Sequence, residues 1–90
     1  MRVAILATDI SASLISQLLY YMDDPSTQFL FGDNSVLVAR FLNTRGFRNC
    51  IVYHLGSEPR HRLGNYQTRG GFTSYIEIGY ALKEQSDVVL

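Results

Sequence analysis

Residues 56–73 carry the densest set of groups that could bind a ligand. Four of their side chains suit hydrogen bonding to an anion: Arg60, Arg62, Arg69 and Asn65. Guanidinium groups match the paired oxygens of phosphates and carboxylates, so these arginines indicate an anionic ligand or partner. The stretch has no helical or strand periodicity and predicts a long loop, which in a small domain usually works as a lid, clamp or binding loop. Gly70 and Gly71 at its end could form a hinge, or a point where a ligand approaches the backbone.

Three titratable side chains could act in catalysis if the protein is an enzyme. His54 ends an apolar run, Glu58 lies in the 56–73 stretch, and Asp33 follows another apolar run. An imidazole or a carboxylate at such a place can donate or accept a proton. No set of Cys, His and Asp residues has the spacing of metal ligands, so we expect no metal site.

Two shorter polar segments, residues 8–11 and 32–35, each join a predicted strand to a predicted helix. The free N–H groups at a helix N-terminus favour an anion, although the same residue types are also ordinary helix caps. Asp9 and Asp33 would oppose a phosphate unless they bind ribose hydroxyls or a metal. The residues predicted to contact a ligand here are Thr8, Asp9, Ser11, Gly32, Asp33, Asn34 and Ser35.

Alternating elements position these loops. Short apolar runs predict strands at residues 3–7, 28–31, 49–55 and 87–90. Apolar residues at helical spacing predict helices over 14–22, 36–45 and from Ser74 onward, where Ser74 and Glu77 match a capping box. The order β-α-β-α-β-loop-α-β predicts a single α/β domain over residues 1–90, a Rossmann-like three-layer fold with a short, mainly parallel four-stranded sheet. Ligands of such sheets bind at the carboxyl ends of the strands.

Composition narrows the classes of function. The chain has 90 residues and no net charge, so general binding to nucleic acid is not expected. Cys50 is the only cysteine, which rules out an intrachain disulfide and favours a reducing, cytoplasmic compartment. No apolar run is long enough to span a membrane. The glycine patterns of dinucleotide and P-loop sites are absent, so no cofactor is expected.

Several segments resemble the SLOG superfamily of Rossmann-like domains, which includes the DNA-processing protein A and lonely-guy phosphoribohydrolase types. They are MRVAILAT at 1–8, FGDNS at 31–35, GFRNCIVY at 46–53, RHRLGNYQTR at 60–69 and the ending at 80–90. The resemblance implies a domain that binds a nucleotide or related phosphosugar, with Thr8, Gly32, Asp33 and Asn34 on the ligand side. It suggests an uncharacterised bacterial or phage type of member.

The chain departs from that family at two places. Val36 and Leu37 stand where the second loop of the family carries a further glycine and aspartate. The family also continues beyond its fourth strand into a phosphate loop of the P-G-G-x-G-T type, whereas this sequence stops at Leu90. We therefore expect a fragment, a reduced form, or a site that another subunit completes, and hydrolase activity does not carry over.

Three functions follow from these patterns. The first is binding of a nucleotide or similar anionic small molecule, with the arginine-rich segment closing over it. The second is hydrolysis of an N-glycosidic or phosphoester bond. The third is an interaction module, such as a phage or plasmid protein acting on a host partner, with Tyr66 and Phe72 as anchors. A small core and a high content of Tyr and Phe also predict a homo-oligomer.

Overall fold

The structure, a computed structural model, describes residues 1–61, 64 and 66–90 of the chain. Five parallel strands form one sheet in the order β4-β3-β2-β1-β5. The strands are β1 (Arg2–Ile5), β2 (Gln28–Gly32), β3 (Cys50–Leu55), β4 (Gln67–Phe72) and β5 (Val88–Val89). The helices are α1 (Ala12–Met22), α2 (Val36–Thr44) and α3 (Tyr75–Gln85), and a short 3₁₀ turn at Asp33–Ser35 precedes α2. The predicted α/β class and three-layer architecture are confirmed.

Side chains alternate between two apolar layers because successive residues of a strand face opposite sides of a sheet. Val3 and Ile5 of β1 pack with α1 and α2, whereas Ala4 packs with α3. Strands β2 and β3 repeat this pattern with residues that are almost all buried, as expected for a parallel sheet covered on both faces. In the described part of the chain, no helix combines the length and the apolar character needed to cross a bilayer.

The prediction of an unstructured loop over 56–73 is wrong for its last third. Gln67–Phe72 forms β4, an edge strand that pairs with β3 in parallel and adds a fifth strand to the predicted four. Because β3 and β4 are parallel, the chain must return from the carboxyl end of β3 to the amino end of β4, and residues 56–66 make this connection. Gly64 lies beside Asn43 of α2, and Tyr66 donates a hydrogen bond of 2.9 Å to the Phe47 carbonyl. Gly64 and Tyr66 therefore lie on the face of the sheet that α2 covers.

Serine side chains cap two of the helices. The hydroxyl of Ser11 accepts a hydrogen bond of 3.1 Å from the Leu14 N–H, and that of Ser74 accepts one of 3.1 Å from the Glu77 N–H. The carboxylate of Glu77 reaches back to Thr73, where it accepts bonds from the hydroxyl and the backbone N–H. These two bonds, with the hydroxyl contributing most, lower the pKa of Glu77. The predicted capping box is present, displaced by one residue on its carboxylate side.

Gly70 makes room for His54. Within the paired strands, His54 of β3 is opposed by both Gly70 and Gly71, so β4 carries a β-bulge at this point. A Cβ on Gly70 would lie 2.8 Å from His54 Nε2 and 2.6 Å from the Gly56 carbonyl oxygen. The imidazole, which is only 3% exposed, therefore packs where any other residue at position 70 would place a side chain.

We expect Gly70→Ala to lower the free energy of unfolding by about 1–3 kcal/mol, because the added methyl group overlaps the ring and the carbonyl. Gly79→Ala is the matched control. A Cβ on Gly79 of α3 meets no atom within 4 Å, so this change should raise stability by about 0.5–1 kcal/mol. Urea unfolding followed by circular dichroism measures both values, and equal effects of the two variants would contradict the packing described above.

The thiol of Cys50 and the phenol of Tyr66 are two weakly acidic groups in the core beside α2. Desolvation raises the pKa of the Cys50 thiol from 9.0 to about 12, although a hydrogen bond with Tyr66 opposes part of the shift. Burial also raises the pKa of the Tyr66 hydroxyl, and the nearby Cys50 adds to that shift. Both groups therefore stay protonated in the folded chain at a pH where the unfolded chain ionises them.

This difference makes folding sensitive to alkali. A group whose pKa is higher in the folded state stabilises the fold below its unfolded pKa, and that stabilisation is lost as the pH rises. We expect the free energy of unfolding to fall between pH 9 and 12, with Cys50 contributing up to about 1.4 kcal/mol per pH unit. Urea unfolding at pH 8, 9.5 and 10.5 tests this. Cys50→Ala should show a shallower decline than the parent, and identical slopes would exclude the thiol as the cause.

Candidate functional site

The carboxyl ends of the parallel strands bring four connections to one edge of the sheet. Residues 6–11 follow β1, the 3₁₀ turn Asp33–Ser35 follows β2, residue 56 follows β3, and residues 73–74 follow β4. Helices α1 and α2 begin at this edge on one face, and α3 begins there on the other. The first two connections are those predicted to bind a ligand, so the structure does bring these loops to neighbouring positions.

Asp33 occupies an unusual place at this edge. It directly follows β2, the strand between β1 and β3, and its side chain is 2% exposed. Its Oδ1 atom is shielded from water and has no hydrogen-bond partner among the described residues. A buried acceptor without a donor costs about 1–3 kcal/mol, and more when the group is charged. Because nearly all buried polar atoms in folded proteins are paired, an unpaired carboxylate oxygen marks a place where a donor is missing.

Neighbouring contacts hold the backbone around Asp33 in place. The buried hydroxyl of Ser35 donates a hydrogen bond of 2.8 Å to the Ala7 carbonyl, which ties the turn after β2 to the segment after β1. A Cβ on Gly32 would lie 2.7 Å from Asn34 Oδ1 and 3.2 Å from Ile78 Cγ2 of α3. Gly32 is therefore needed for the close approach of Asn34 and α3, and its predicted contact with a ligand stays a prediction.

The segment after β1 presents its polar side chains to solvent. Thr8, Asp9 and Ser11 are all exposed, and Ser11 caps α1 through its oxygen while its hydroxyl hydrogen remains available to donate. Asn34 is exposed on the neighbouring turn. The predicted contacts after β1 and β2 thus divide into exposed groups at Thr8, Asp9, Ser11 and Asn34, and buried groups at Asp33 and Ser35.

The predicted arginine clamp is not assembled in the described part of the chain. Arg60 lies near the carboxyl edge, where its Nη1 donates a long hydrogen bond of 3.4 Å to the hydroxyl of Tyr75, the first residue of α3. Arg62 and Asn65 lie outside the described residues. One of the three predicted arginines is therefore observed at this edge.

Arg69 points elsewhere, and its predicted place in the site is wrong. Its Nη1 donates to Gln85 Oε1 at 3.0 Å and to the Tyr53 hydroxyl at 3.3 Å, and its guanidinium carbon lies 5.5 Å from the centre of the Tyr53 ring. Gln85 is the last residue of α3, which begins at the carboxyl edge and ends at the amino edge. The physical reason is the pairing of Arg69 with Tyr53 in the β3–β4 register, which directs the Arg69 side chain to the face of the sheet that α3 covers.

Gly70 and Gly71 are also used differently from the prediction. They lie inside β4, and the Gly71 N–H donates to the Gly56 carbonyl at 2.7 Å, so they form neither a loop hinge nor a free backbone site for a ligand. His54, a predicted catalytic candidate, is buried, and its ring packs against Gly70 of β4. Glu58 is exposed, and no described hydrogen bond joins Glu58, His54 or Asp33 to one another.

Sequence reasoning missed a polar cluster at the opposite, amino edge of the sheet. Arg2, Gln28 and Gln85 line both a cavity of about 20 Å³ and an adjoining cleft of about 510 Å³, and Arg69 and Tyr53 line the smaller space. The available signal was the polar residue in front of each apolar run, because Arg2 and Gln28 share a face with Ala4 and Leu30.

Comparison with family models, with curated protein sequences and with solved structures gave no match for this chain. Its chemistry therefore has to be inferred from the residues described above.

The two buried polar residues of the 3₁₀ turn make a matched pair for measurement. We expect Ser35→Ala to lower the free energy of unfolding by about 1–2 kcal/mol, because the Ala7 carbonyl loses its donor. Asp33→Ala should leave stability unchanged or raise it, because the buried Oδ1 gains no hydrogen bond from the described residues on folding. Urea unfolding of both variants tests this, and a loss from Asp33→Ala as large as that from Ser35→Ala would mean that Asp33 has an internal partner.

Proposed function

We propose that this protein binds a nucleotide or a nucleotide-derived anion at the carboxyl edge of its sheet. The ligand lies over the segment after β1 and the turn after β2. Its ribose hydroxyls donate to Asp33, and its phosphate lies at the start of α1. Open α/β sheets bind ligands at this edge, and an acidic residue that accepts hydrogen bonds from ribose is a recurrent part of their nucleotide sites.

The observation that carries this proposal is the unpaired Oδ1 of Asp33. A carboxylate accepts hydrogen bonds only, so the group it lacks must bring O–H or N–H donors. Inorganic phosphate still carries one or two O–H groups at neutral pH, but its negative charge would be repelled by the carboxylate. Ribose brings two adjacent hydroxyls, and one carboxylate can accept both. A ligand that carries ribose and phosphate together therefore fits both the acidic and the anion-attracting parts of this edge.

The phosphate end has support from the cap of α1. The first N–H groups of a helix lack internal partners, and the positive end of its dipole favours negative charge. Thr8 and Ser11 offer exposed hydroxyl groups beside that helix start. Asp9, also exposed, disfavours a phosphate in contact with it, which favours a phosphate position on the Ser11 side of the segment. Arg60 lies beside the start of α3 and adds one cation at the same edge.

The resemblance to the SLOG superfamily points to the same class of ligand and remains a prediction. Self-association of the chain also remains a prediction. No specific observation favours either of the two other functions, hydrolysis or protein interaction. A hydrolase built on His54 would need that ring to face a ligand, yet the ring packs on Gly70 of β4. An interaction surface anchored by Tyr66 and Phe72 would need them exposed, yet Tyr66 is buried and Phe72 packs 5.5 Å from the Tyr53 ring.

Titration of ¹⁵N-labelled protein with AMP, ribose 5-phosphate, adenosine and inorganic phosphate tests this function. We expect AMP and ribose 5-phosphate to shift the backbone amide signals of residues 8–12 and 32–35 in a saturable way. Phosphate and adenosine each lack one half of the recognised group and should bind at least about ten-fold more weakly. Asp33→Asn should weaken binding of AMP about ten-fold or more, because hydrogen bonds to a charged acceptor contribute about 1.5–3 kcal/mol.

Glu84→Gln is the control for loss of one negative charge, because Glu84 is exposed near the end of α3 that lies at the amino edge. It should leave the affinity for AMP unchanged. The proposal is wrong if none of the ribose phosphates binds the folded protein at this edge. It is also wrong if Asp33→Asn and Glu84→Gln change the affinity equally, because that result would reflect net charge alone.

A further inference from the structure

The amino edge of the sheet carries a cluster of hydrogen-bond donors that the function proposed above does not use. The side chains of Arg2 on β1 and Arg69 on β4 line one cavity of about 20 Å³, together with Gln28 and Gln85. Two guanidinium groups that border so small a space lie within reach of a single bound group. The cavity opens beside a cleft of about 510 Å³, which Arg2, Gln28, Gln85 and Asn49 also line.

Two amide oxygens of this cluster already accept hydrogen bonds. Gln85 Oε1 accepts hydrogen bonds from both the Tyr53 hydroxyl and Arg69 Nη1. This pair of donors identifies the amide oxygen, and the NH₂ group of Gln85 makes no hydrogen bond among the described residues. Asn49 Oδ1 accepts from Gln28 Nε2 at 3.4 Å. Among the described residues, the side chain of Arg2 makes no hydrogen bond, and Arg69 uses only one of its nitrogens.

The cluster therefore has more free donors than free acceptors. Its donors are the guanidinium of Arg2, the remaining N–H groups of Arg69 and the NH₂ of Gln85. Among the described residues that line the cleft, Asp87 is the only acidic one, and its Oδ2 accepts the Arg2 backbone N–H at 2.8 Å. The C-terminal end of α3 adds about half a negative charge. Two cations against about one and a half negative charges leave the site positive, and among the described residues Gln28 Oε1 and Asp87 Oδ1 are acceptors that stay free.

We infer that this amino-edge cluster is a second binding site, for a small dianion that carries a phosphate or paired carboxylate groups. The 20 Å³ cavity has room for about one water molecule, so it admits a single oxygen of the anion. The remainder of the ligand occupies the adjoining cleft. Arg2 and Arg69 approach the anion from two strands that flank β2 and β3, and guanidinium groups bind such oxygens in pairs. Tyr53, which is fully buried and also lines the small cavity, holds Gln85 and Arg69 in place through its hydroxyl.

The site is independent of the proposed nucleotide site. The nucleotide edge lies at the carboxyl ends of the strands, and this cluster lies at their amino ends, so a label on one edge reports that edge alone. Phosphomonoesters and dicarboxylates share the chemistry recognised here, and separate probes distinguish them.

The test uses inorganic phosphate and succinate as probes, at constant ionic strength and pH 7.5, with chloride as the monovalent comparison. ¹⁵N spectra record the arginine Nε–H signals and the side-chain amide of Gln85. We expect saturable shifts of the Arg2, Arg69 and Gln85 signals with at least one dianion and none with chloride. A response to phosphate alone identifies a phosphate ligand, and a response to succinate identifies a dicarboxylate.

Arg2→Gln is the principal variant, because its side chain makes no described hydrogen bond and its loss should not alter stability. It should weaken dianion binding about ten-fold or more. Arg69→Gln should do the same, and a thermal melt checks that it remains folded. Arg40→Gln removes the same charge from the exposed face of α2 and should leave binding unchanged. No saturable shift at the amino edge with either dianion overturns the inference. So does an equal effect of Arg2→Gln and Arg40→Gln, or binding confined to residues 8–12 and 32–35.

Discussion

Parallel pairing of every strand is the constraint on which this structure depends. Each strand has to start again from the amino edge, so each connection must cross the whole sheet. Helices α1, α2 and α3 make three of these crossings and cover both faces. The fourth crossing, from β3 to β4, uses residues 56–66. A polar segment that must travel from one edge to the other cannot keep all its side chains in one place, which explains why Arg60 and Arg69 lie at different ends of the molecule.

The two edges have opposite chemical character as a result. At the carboxyl edge, the fold brings together helix starts, small polar side chains and one buried carboxylate at Asp33. At the amino edge, it brings together the first polar residues of β1 and β2, the end of α3, and an arginine from β4. At the carboxyl edge, Asp33 Oδ1 has no hydrogen-bond donor among the described residues. At the amino edge, free hydrogen-bond donors outnumber free acceptors. That contrast is what separates the two ligands proposed for them.

Much of the fold could be predicted because the inner strands are buried on both faces. Continuous apolar runs such as Phe29–Phe31 are typical of strands in this position, and Ser11 and Ser74 cap helices as their sequence context predicts. Strand β4 could not be predicted in this way. It is an edge strand whose residues are mostly exposed, so it carries no apolar pattern, and its glycines accommodate His54 and do not form a turn.

The candidate sites were harder to predict than the fold. The direction of the Arg69 side chain depends on its register with Tyr53, which no local pattern of residues records. Asp33 Oδ1 is unpaired because no described residue places a hydrogen-bond donor beside it, and only the three-dimensional structure shows this. Sequence reasoning therefore found Asp33 as a candidate but could not distinguish it from the exposed polar residues beside it.

The bulge at Gly70 and Gly71 also bears on how copies of this chain could meet. An unpaired edge strand offers a row of amide and carbonyl groups to any extended segment, and uninterrupted rows invite open-ended fibre growth. With Gly71 at a φ of 91°, the row along β4 is broken near its carboxyl end. Continuous sheet-to-sheet extension is thereby disfavoured at this flank.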